Sequence, residues 1–199
     1  PWLAGCLLAL ALVIPARAQP GDLSGFGFLR LEPSARASAL GGAFAAVYGE
    51  DVNALFYNPA LLNEAMHRSL SLSYLNHLAG LNAGFVAYGR EVEGLGSFGG
   101  GLRFLSWGDL EGADETGQRT GSVSASDVAL TVGFARPVND QLRYGVNVHG
   151  VFSSIESYSA SALAFDVGAL YHLEGAQLTV SASINNVGTT LSSFGEVQD

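Results

Sequence analysis

One glycine run in the chain has the spacing of a dinucleotide-binding loop. Residues 94–99 read G-L-G-S-F-G and fit the motif G-x-G-x-x-G. A dinucleotide site needs that run to open a helix, whose N-terminus then holds the pyrophosphate. Here Gly100 to Leu105 continue with the alternation of a strand. The run therefore predicts a glycine turn, and we predict no cofactor.

The histidines and the charged candidates do not indicate a reaction. We predict that His149 lies on an inner face of the fold beside Asn147, in a hydrogen-bonded role. Arg103, Asp127 and Asp166 are predicted on inner faces too, where charge pairing is the simplest role. No nucleophile stands with a base, and no two histidines have i, i+4 spacing. The sequence therefore predicts neither catalytic nor metal-binding residues. The four histidines are His67, His77, His149 and His172.

Acidic residues cluster in one segment, Gly108 to Gly121, that we predict to be a long exposed loop. The single Arg119 stands against four acids, so the loop is strongly negative. Three interpretations remain open: solvated surface charge, a docking surface for a partner, or divalent cations bridging the loop to lipopolysaccharide. The four acids are Asp109, Glu111, Asp114 and Glu115.

Strands must position these residues. Between Gln141 and Phe152 large apolar side chains alternate with small or polar ones, which is the period of a strand with one apolar face. Leu142, Tyr144 and Val146 fall on that face. Other segments repeat the pattern. The predicted strands are Ser69 to Tyr74, Ala83 to Tyr88, Ser97 to Leu105, Ser124 to Ala135, Gln141 to Phe152, Ser161 to Tyr171 and Gln177 to Asn186.

The composition indicates where the apolar faces point. Hydrophobic residues make up 48% of the chain and charged residues only 14%, whereas a soluble domain usually has about 25% charge. A β-sandwich would bury its apolar faces and leave charged outer faces. Here the non-apolar faces are small and neutral, which is typical of a lumen. The sequence therefore predicts an all-β fold, a transmembrane antiparallel β-barrel in an outer membrane.

The connections between strands support one orientation of this barrel. Those at 90–96, 136–140 and 172–176 are predicted to be short, whereas Ser106 to Val123 is long and Phe152 to Ala160 is moderately long. Outer-membrane barrels have short periplasmic turns and long outer loops, with aromatic residues near the strand ends. The acidic loop is therefore predicted to face outward.

The chain starts with an export signal. Residues 2–14 are uncharged and apolar, and Ala16-Arg17-Ala18 follows as a cleavage site. The run is too short to span a membrane as a helix. Cleavage would remove residues 1–18 and with them Cys6, the only cysteine. The formal net charge of -9 would become -10 through loss of Arg17, and this negative charge argues against nucleic acid as a partner, so we predict none.

Residues 19–66 break the strand rhythm and predict short helical pieces before the first strand. Pro33 precedes an alanine-rich run that ends at Gly41 and Gly42. Asp51 is a candidate N-cap, and Asn58-Pro59-Ala60 repeats a start signal. Such pieces predict a hatch inside one end of the barrel, with Asn58, Pro59 and Ala60 as its candidate functional residues.

These residues carry a family resemblance. Phe28 to Gly42, Glu50-Asp51-Val52 and Tyr57 to Leu62 resemble the opening of the PorV/PorQ family, which is related to FadL-type barrels. Later segments are similar to the PorQ branch more than to the PorV branch. They are Tyr74 to Gly80, Val86 to Tyr88, Phe104 to Gly108, Ser124 to Asp127 and Asn186 to Gly188.

The resemblance implies a barrel of roughly fourteen strands with an N-terminal hatch, of which residues 67–199 would be the first half. We therefore expect that the sequence is truncated at its C-terminus. The resemblance also implies a place in the attachment complex of the type IX secretion system, with PorZ-like and also PorU- and PorV-like proteins as partners at the outer membrane.

Three functions remain open at this stage. The first is a scaffold that anchors secretion proteins at the outer membrane and catalyses no reaction. The second is a FadL-like transporter of hydrophobic compounds, which requires an apolar pocket under the hatch. The third is a secreted soluble β-protein with a sandwich fold, which requires charged outer faces.

Overall fold

The computed structural model describes residues 26–76, 80–113, 118–176 and 178–194, and for residues 109–113, 119, 120 and 174 it describes the backbone alone. The predicted signal peptide lies outside these ranges, as do Asp114 and Glu115 of the predicted acidic loop.

The fold is all-β, as predicted, and all seven predicted strands are confirmed. They form one antiparallel sheet in which each strand pairs with its neighbours in sequence. The sheet is open, because β1 and β7 do not pair with each other, so the described residues do not close into a barrel. The strands are β1 Leu70–Asn76, β2 Asn82–Val92, β3 Gly96–Ala113, β4 Arg119–Pro137, β5 Leu142–Ile155, β6 Tyr158–Leu173 and β7 Leu178–Ser192.

The two faces of the sheet differ as the alternation predicted. On β5, Tyr144, Val146 and Val148 are exposed on one face, while Asn147 and His149 are buried on the other. The same alternation of burial runs along β4 and β6. We call the buried side the inner face and the other the outer face. The outer face is an almost continuous apolar surface.

The predicted long loop is wrong. β3 and β4 continue as a two-stranded ribbon, in which Asp109 pairs with Ser124 and Glu111 with Ser122. Neither β2 nor β5 pairs with this part of the hairpin. The sequence pattern missed it because a ribbon without other neighbours has no buried face and needs no apolar alternation.

The connection between β5 and β6 is also shorter than predicted. The strands extend to Ile155 and Tyr158, which leaves a two-residue turn in which Glu156 has a φ of 52°. The predicted difference between short and long connections is therefore not observed in the described residues. What distinguishes the two ends of the sheet is the ribbon, so we call them the ribbon end and the turn end. The turn end carries the connections 93–95, 138–141 and 174–177.

The segment before β1, residues 26–66, forms the predicted short helical pieces and packs on the inner face of the sheet, and we call it the hatch. It consists of one short α-helix and four 3-10 turns, and none of these elements is longer than five residues. Asp51 and Asn58 act as N-caps, as predicted, and Gly41 and Gly42 have positive φ after the helix. The helix is α1 Ala35–Ala39, and the 3-10 turns are Gly27–Arg30, Val52–Phe56, Pro59–Leu61 and Glu64–Met66.

Two apolar clusters hold the hatch on the sheet. The first is centred on Phe44, Leu55 and Leu62 of the hatch, which pack on inner-face residues such as Ala135. We call the strands that carry these inner-face residues the wall. The second places Phe28 among large apolar side chains of the inner face, which include Phe85, Leu105 and Val151. The prediction that the inner faces carry only small or polar groups is therefore wrong towards the ribbon end.

Candidate functional site: the hatch-wall interface

The predicted hatch residues lie at the centre of the interface. Asn58 is fully buried, and its Oδ1 accepts a hydrogen bond of 2.9 Å from the backbone N–H of Ala60. Its Nδ2 donates to the carbonyl oxygen of Ala45 at 3.0 Å. Pro59 occupies the first position of the turn, where a missing N–H is not needed. The Asn58-Pro59-Ala60 sequence therefore fixes the backbone that meets the wall.

The wall under this turn is made of glycine. A Cβ built on Gly145 would lie 2.5 Å from the backbone nitrogen of Ala60 and 2.6 Å from the carbonyl oxygen of Pro59. Its cross-strand partner Gly168 faces the side chain of Asn58 so closely that a methyl group would overlap it. Hatch backbone and strand backbone are thus in direct contact, and no side chain could be inserted between them.

Polar side chains of the wall donate to hatch carbonyl groups. Asn147 donates to the carbonyl of Leu55 at 2.9 Å, and Arg143 donates to that of Leu62 at 2.8 Å. Arg103 donates through its two terminal nitrogens to the carbonyls of Leu29 and Phe56, and its guanidinium lies 4.4 Å from the Phe56 ring centroid. The predicted inner position of Arg103 is confirmed, but these contacts are to carbonyls and a ring rather than to a carboxylate.

The edge strand β7 contributes donors of the same kind. The Ser181 hydroxyl donates to the carbonyl of Ala45 at 2.7 Å, and the Asn185 amide donates to that of Tyr57 at 3.1 Å. Donors from three strands, β3, β5 and β7, therefore reach the hatch backbone. Each such bond contributes about 1 kcal/mol when it is formed, and together they hold the hatch in one position.

A buried chain of polar groups lies behind the hatch. The Thr131 hydroxyl is 2.8 Å from Nδ1 of His149, and Nε2 of His149 is 2.6 Å from Oδ2 of Asp166. Asn147 donates to the same carboxylate oxygen at 2.8 Å. The inner, hydrogen-bonded position of His149 and the inner position of Asp166 are thus confirmed. Asp127, also buried as predicted, accepts from Trp107 at 2.7 Å and from Ser153.

This hydroxyl-imidazole-carboxylate chain was not found by sequence reasoning, because its members come from three strands. The register that places Thr131 opposite His149, and Asn147 opposite Asp166, is not visible in local spacing. All three side chains are almost completely buried, so no substrate could reach the hydroxyl. The arrangement orients Asn147 towards the hatch. In the described part of the chain, no three residues form a group that could hold a metal ion.

Asn58→Ala is expected to lower the free energy of unfolding by about 2–3 kcal/mol. The change removes two hydrogen bonds and leaves the buried Ala60 N–H without its acceptor, while the Ala45 carbonyl keeps its bond from Ser181. Denaturant titration in detergent measures it. Asn139→Ala is the matched control, because Asn139 caps the exposed turn through Gln141 and Leu142 and should cost only about 1 kcal/mol. Equal losses at both sites would contradict the prediction.

The protonation of Tyr57 is expected to make the free energy of unfolding fall at alkaline pH. Burial raises the pKa of Tyr57, and its 2.6 Å hydrogen bond to Glu32 raises it further. The unfolded chain releases this proton near pH 10 while the folded chain keeps it. The free energy of unfolding should therefore be constant below about pH 9 and fall above about pH 10. Denaturation midpoints at increasing pH measure this, and an unchanged profile in Tyr57→Phe would contradict it.

Two of the four acidic residues lie on the ribbon. Asp109 and Glu111 lie two positions apart on its β3 side, and Asp114 and Glu115 lie outside the described residues. The docking function of the four acids remains a prediction. The ribbon places Asp109 and Glu111 at the end of the sheet opposite to the three turns.

Comparison with known proteins gives no match, either to a protein-family model or to a curated protein. The resemblance to the PorV/PorQ family therefore remains a hypothesis based on the motifs. No helix within the described ranges has the length and apolar character needed to cross a membrane.

Proposed function

We propose that the chain is an outer-membrane β-barrel scaffold of the PorV/PorQ family, closest to its PorQ branch. It anchors partner proteins of the type IX secretion attachment complex and catalyses no reaction. The observation that supports the proposal most is a sheet with two different faces. Its outer face is apolar and exposed, and its inner face is covered by a hatch that is hydrogen-bonded to the strands.

The outer face supports a lipid environment. Its exposed side chains include Leu130, Val132, Val148, Val167 and Ile184, each at least two-fifths exposed. β2 to β7 contain 11 to 19 residues, and a strand needs about 9–11 to cross a bilayer. Aliphatic side chains in the middle with tyrosines near the strand ends, such as Tyr88, Tyr144 and Tyr171, are typical of this setting. A soluble sandwich would leave this surface in water.

The hatch supports a scaffold rather than a transporter. Gly145 lies directly against the backbone of Pro59 and Ala60, and Gly168 against the side chain of Asn58, so no apolar pocket lies between that turn and the wall. Opening a path there would break the hydrogen bonds of Arg143 and Asn147 and expose the cluster around Leu55. The interface therefore favours a hatch that stays in place.

One observation favours the FadL-like transporter as the second candidate. A cavity of about 300 Å³ lies beside the second apolar cluster, between Phe26, Leu29, Val151 and Ala162. Its size suits an aliphatic group, and its walls are partly apolar. A transporter would use this cavity towards the ribbon end rather than the space under Asn58.

The partner prediction is tested by recovery of the tagged protein from detergent-solubilised outer membranes of its native cells. Mass spectrometry of what stays bound is the readout. Co-recovery of PorZ-like and PorU-like proteins is expected for the scaffold. A protein recovered with lipid or fatty acid and without protein partners would favour the transporter instead.

The same recovery experiment can be repeated with a variant in which the acidic segment is neutral. We expect that replacing Asp109, Glu111, Asp114 and Glu115 by Asn or Gln reduces partner recovery at least severalfold, because charge complementarity controls docking rates. The neutral variant should remain in the membrane, which shows that it is assembled. Unchanged partner recovery would mean that the four acids are only solvated charge.

A further inference from the structure

A second cavity, at the turn end of the sheet, has a different character. It has a volume of about 480 Å³ and lies between the hatch and the connection from β4 to β5. Its walls combine apolar surface with charged and polar groups, and the charged groups include two carboxylates as well as a guanidinium. The apolar surface comes from Val138 and Leu170, and the charged and polar groups are Arg143, Glu64, Asp140, His172, Gln141 and Tyr48. The candidate hatch residues Asn58, Pro59 and Ala60 are not among its walls.

Arg143 is the cationic centre of this cavity. Its side chain is only 11% exposed. One terminal nitrogen donates to the carbonyl of Leu62, and the other lies 3.6 Å from Oε2 of Glu64. Its Nε is buried and has no hydrogen-bond partner among the described residues. A guanidinium has five N–H donors, and the terminal nitrogen that faces Glu64 at 3.6 Å is the one with capacity for a further acceptor.

Glu64 holds Arg143 only loosely. The separation of 3.6 Å is well beyond the usual 2.7–2.9 Å of a charge-assisted hydrogen bond. The Glu64 side chain is 69% exposed, so water competes for its carboxylate. Because an exposed ion pair of this kind contributes little, a carboxylate from outside could take its place at low cost.

Tyr48 and Gln141 add neutral donors to the same cavity. Burial raises the pKa of Tyr48, which the Arg143 cation partly offsets, so the phenol keeps its proton at neutral pH. The ring centroid of Tyr48 lies 5.9 Å from the Arg143 guanidinium. Gln141 accepts from Tyr171 through Oε1, and its amide nitrogen is a donor. The cavity therefore offers an anion one guanidinium and neutral donors, beside the carboxylates of Glu64 and Asp140.

We propose that this cavity binds a carboxylate attached to a short apolar group, with Glu64 as the internal carboxylate that the ligand displaces. The ligand's carboxylate would meet Arg143, and its apolar part would lie on Val138 and Leu170. A peptide carboxyl terminus and a free branched carboxylic acid share this chemistry. The inference does not rest on the proposed function, because the cavity is the same whether the outer face meets lipid or water.

Three probes test the site by calorimetry on the purified chain in a non-ionic detergent. They are N-acetyl-Val-Val with a free carboxylate, the same dipeptide with a C-terminal amide, and 3-methylbutyrate. We expect the dipeptide acid to bind at least tenfold more tightly than its amide. Glu64→Gln should increase the affinity for the acid about two- to fivefold, because it removes the internal competitor. Arg143→Lys should decrease it about tenfold, because the ammonium cannot form the planar paired contact.

The variants act in opposite directions, which protects the test from a folding defect. Arg143 also binds the hatch, so a loss in Arg143→Lys alone would not suffice. Glu64→Gln removes only the loose ion pair with Arg143 and leaves the hydrogen bonds between hatch and wall in place. Equal affinity for acid and amide would overturn the proposal, as would absence of acid binding to Glu64→Gln up to about 10 mM. Preference for the dipeptide acid over 3-methylbutyrate identifies a peptide carboxyl terminus, and equal affinity identifies a free acid; either supports carboxylate recognition.

Discussion

Gly145→Ala is expected to displace the hatch from the wall and to lower the free energy of unfolding by about 3 kcal/mol. A single added methyl group would lie 2.5–2.6 Å from backbone atoms of Pro59 and Ala60. Backbone on both sides of the contact cannot rotate away, so the strain is at the upper end of the range for overpacked cores. Moving the turn would also strain the hydrogen bonds that hold it, including the one from Arg143 to Leu62.

Gly150→Ala is the matched control for this prediction. Gly150 lies on the same strand but on the outer face, where an added methyl group finds its nearest atom at an ordinary 3.8 Å in the Phe152 ring. We expect that this variant keeps the parent's stability or gains slightly, since alanine restricts the unfolded chain. Denaturant titration and protease cleavage within residues 26–66 are the measurements. If the two variants were equally stable and equally resistant, the hatch would not be seated on this glycine.

The strands could be predicted from the sequence because burial on one face imposes a period of two. Val146 and Val148 show this period with Asn147 between them, and in the structure the two valines are exposed on the outer face while Asn147 is buried on the inner face. The caps were predictable for a local reason too, since Asp51 and Asn58 bond to backbone only two residues away. Signals that depend on a few neighbouring residues are therefore readable without the fold.

The interface itself could not be predicted, because its contacts join residues that are distant in sequence. Nothing near Gly145 indicates that Pro59 lies against it, and nothing near Thr131 indicates the register with His149. Arg103 was assigned to the inner face correctly, but not its contact with Phe56. The ribbon was missed for the opposite reason: without a buried face, its residues carry no periodic signal.

The hatch and the outer face make separate demands on the sheet. Glycine on the inner face lets the hatch approach, while aliphatic residues on the outer face have no partner among the described residues. Two neighbours on β4 show the difference: Gly133 lies against Leu55 of the hatch on the inner face, and Val132 is exposed on the outer face. Substitutions on the inner face thus test the hatch, and those on the outer face test the solvent around the sheet.

Val132→Arg is expected to destabilise the sheet by about 2–4 kcal/mol in lipid vesicles. Val132 is 67% exposed on the outer face, near the middle of the part of β4 that pairs with β5. In a bilayer this position meets the hydrocarbon core, where a guanidinium is costly. In water the same substitution would replace an exposed apolar group by a charged one and would be neutral or favourable.

Val138→Arg separates these two outcomes. Val138 is 58% exposed, similar to Val132, but lies in the turn after β4. There an arginine would reach the membrane surface and cost about 0–1 kcal/mol. Both variants exchange valine for arginine, so a difference between their urea unfolding free energies in vesicles measures how deep each position lies in the bilayer. A large loss at Val132 alone favours the barrel. If both variants were neutral, the apolar face would lie in water, and the secreted soluble β-protein would be the favoured function.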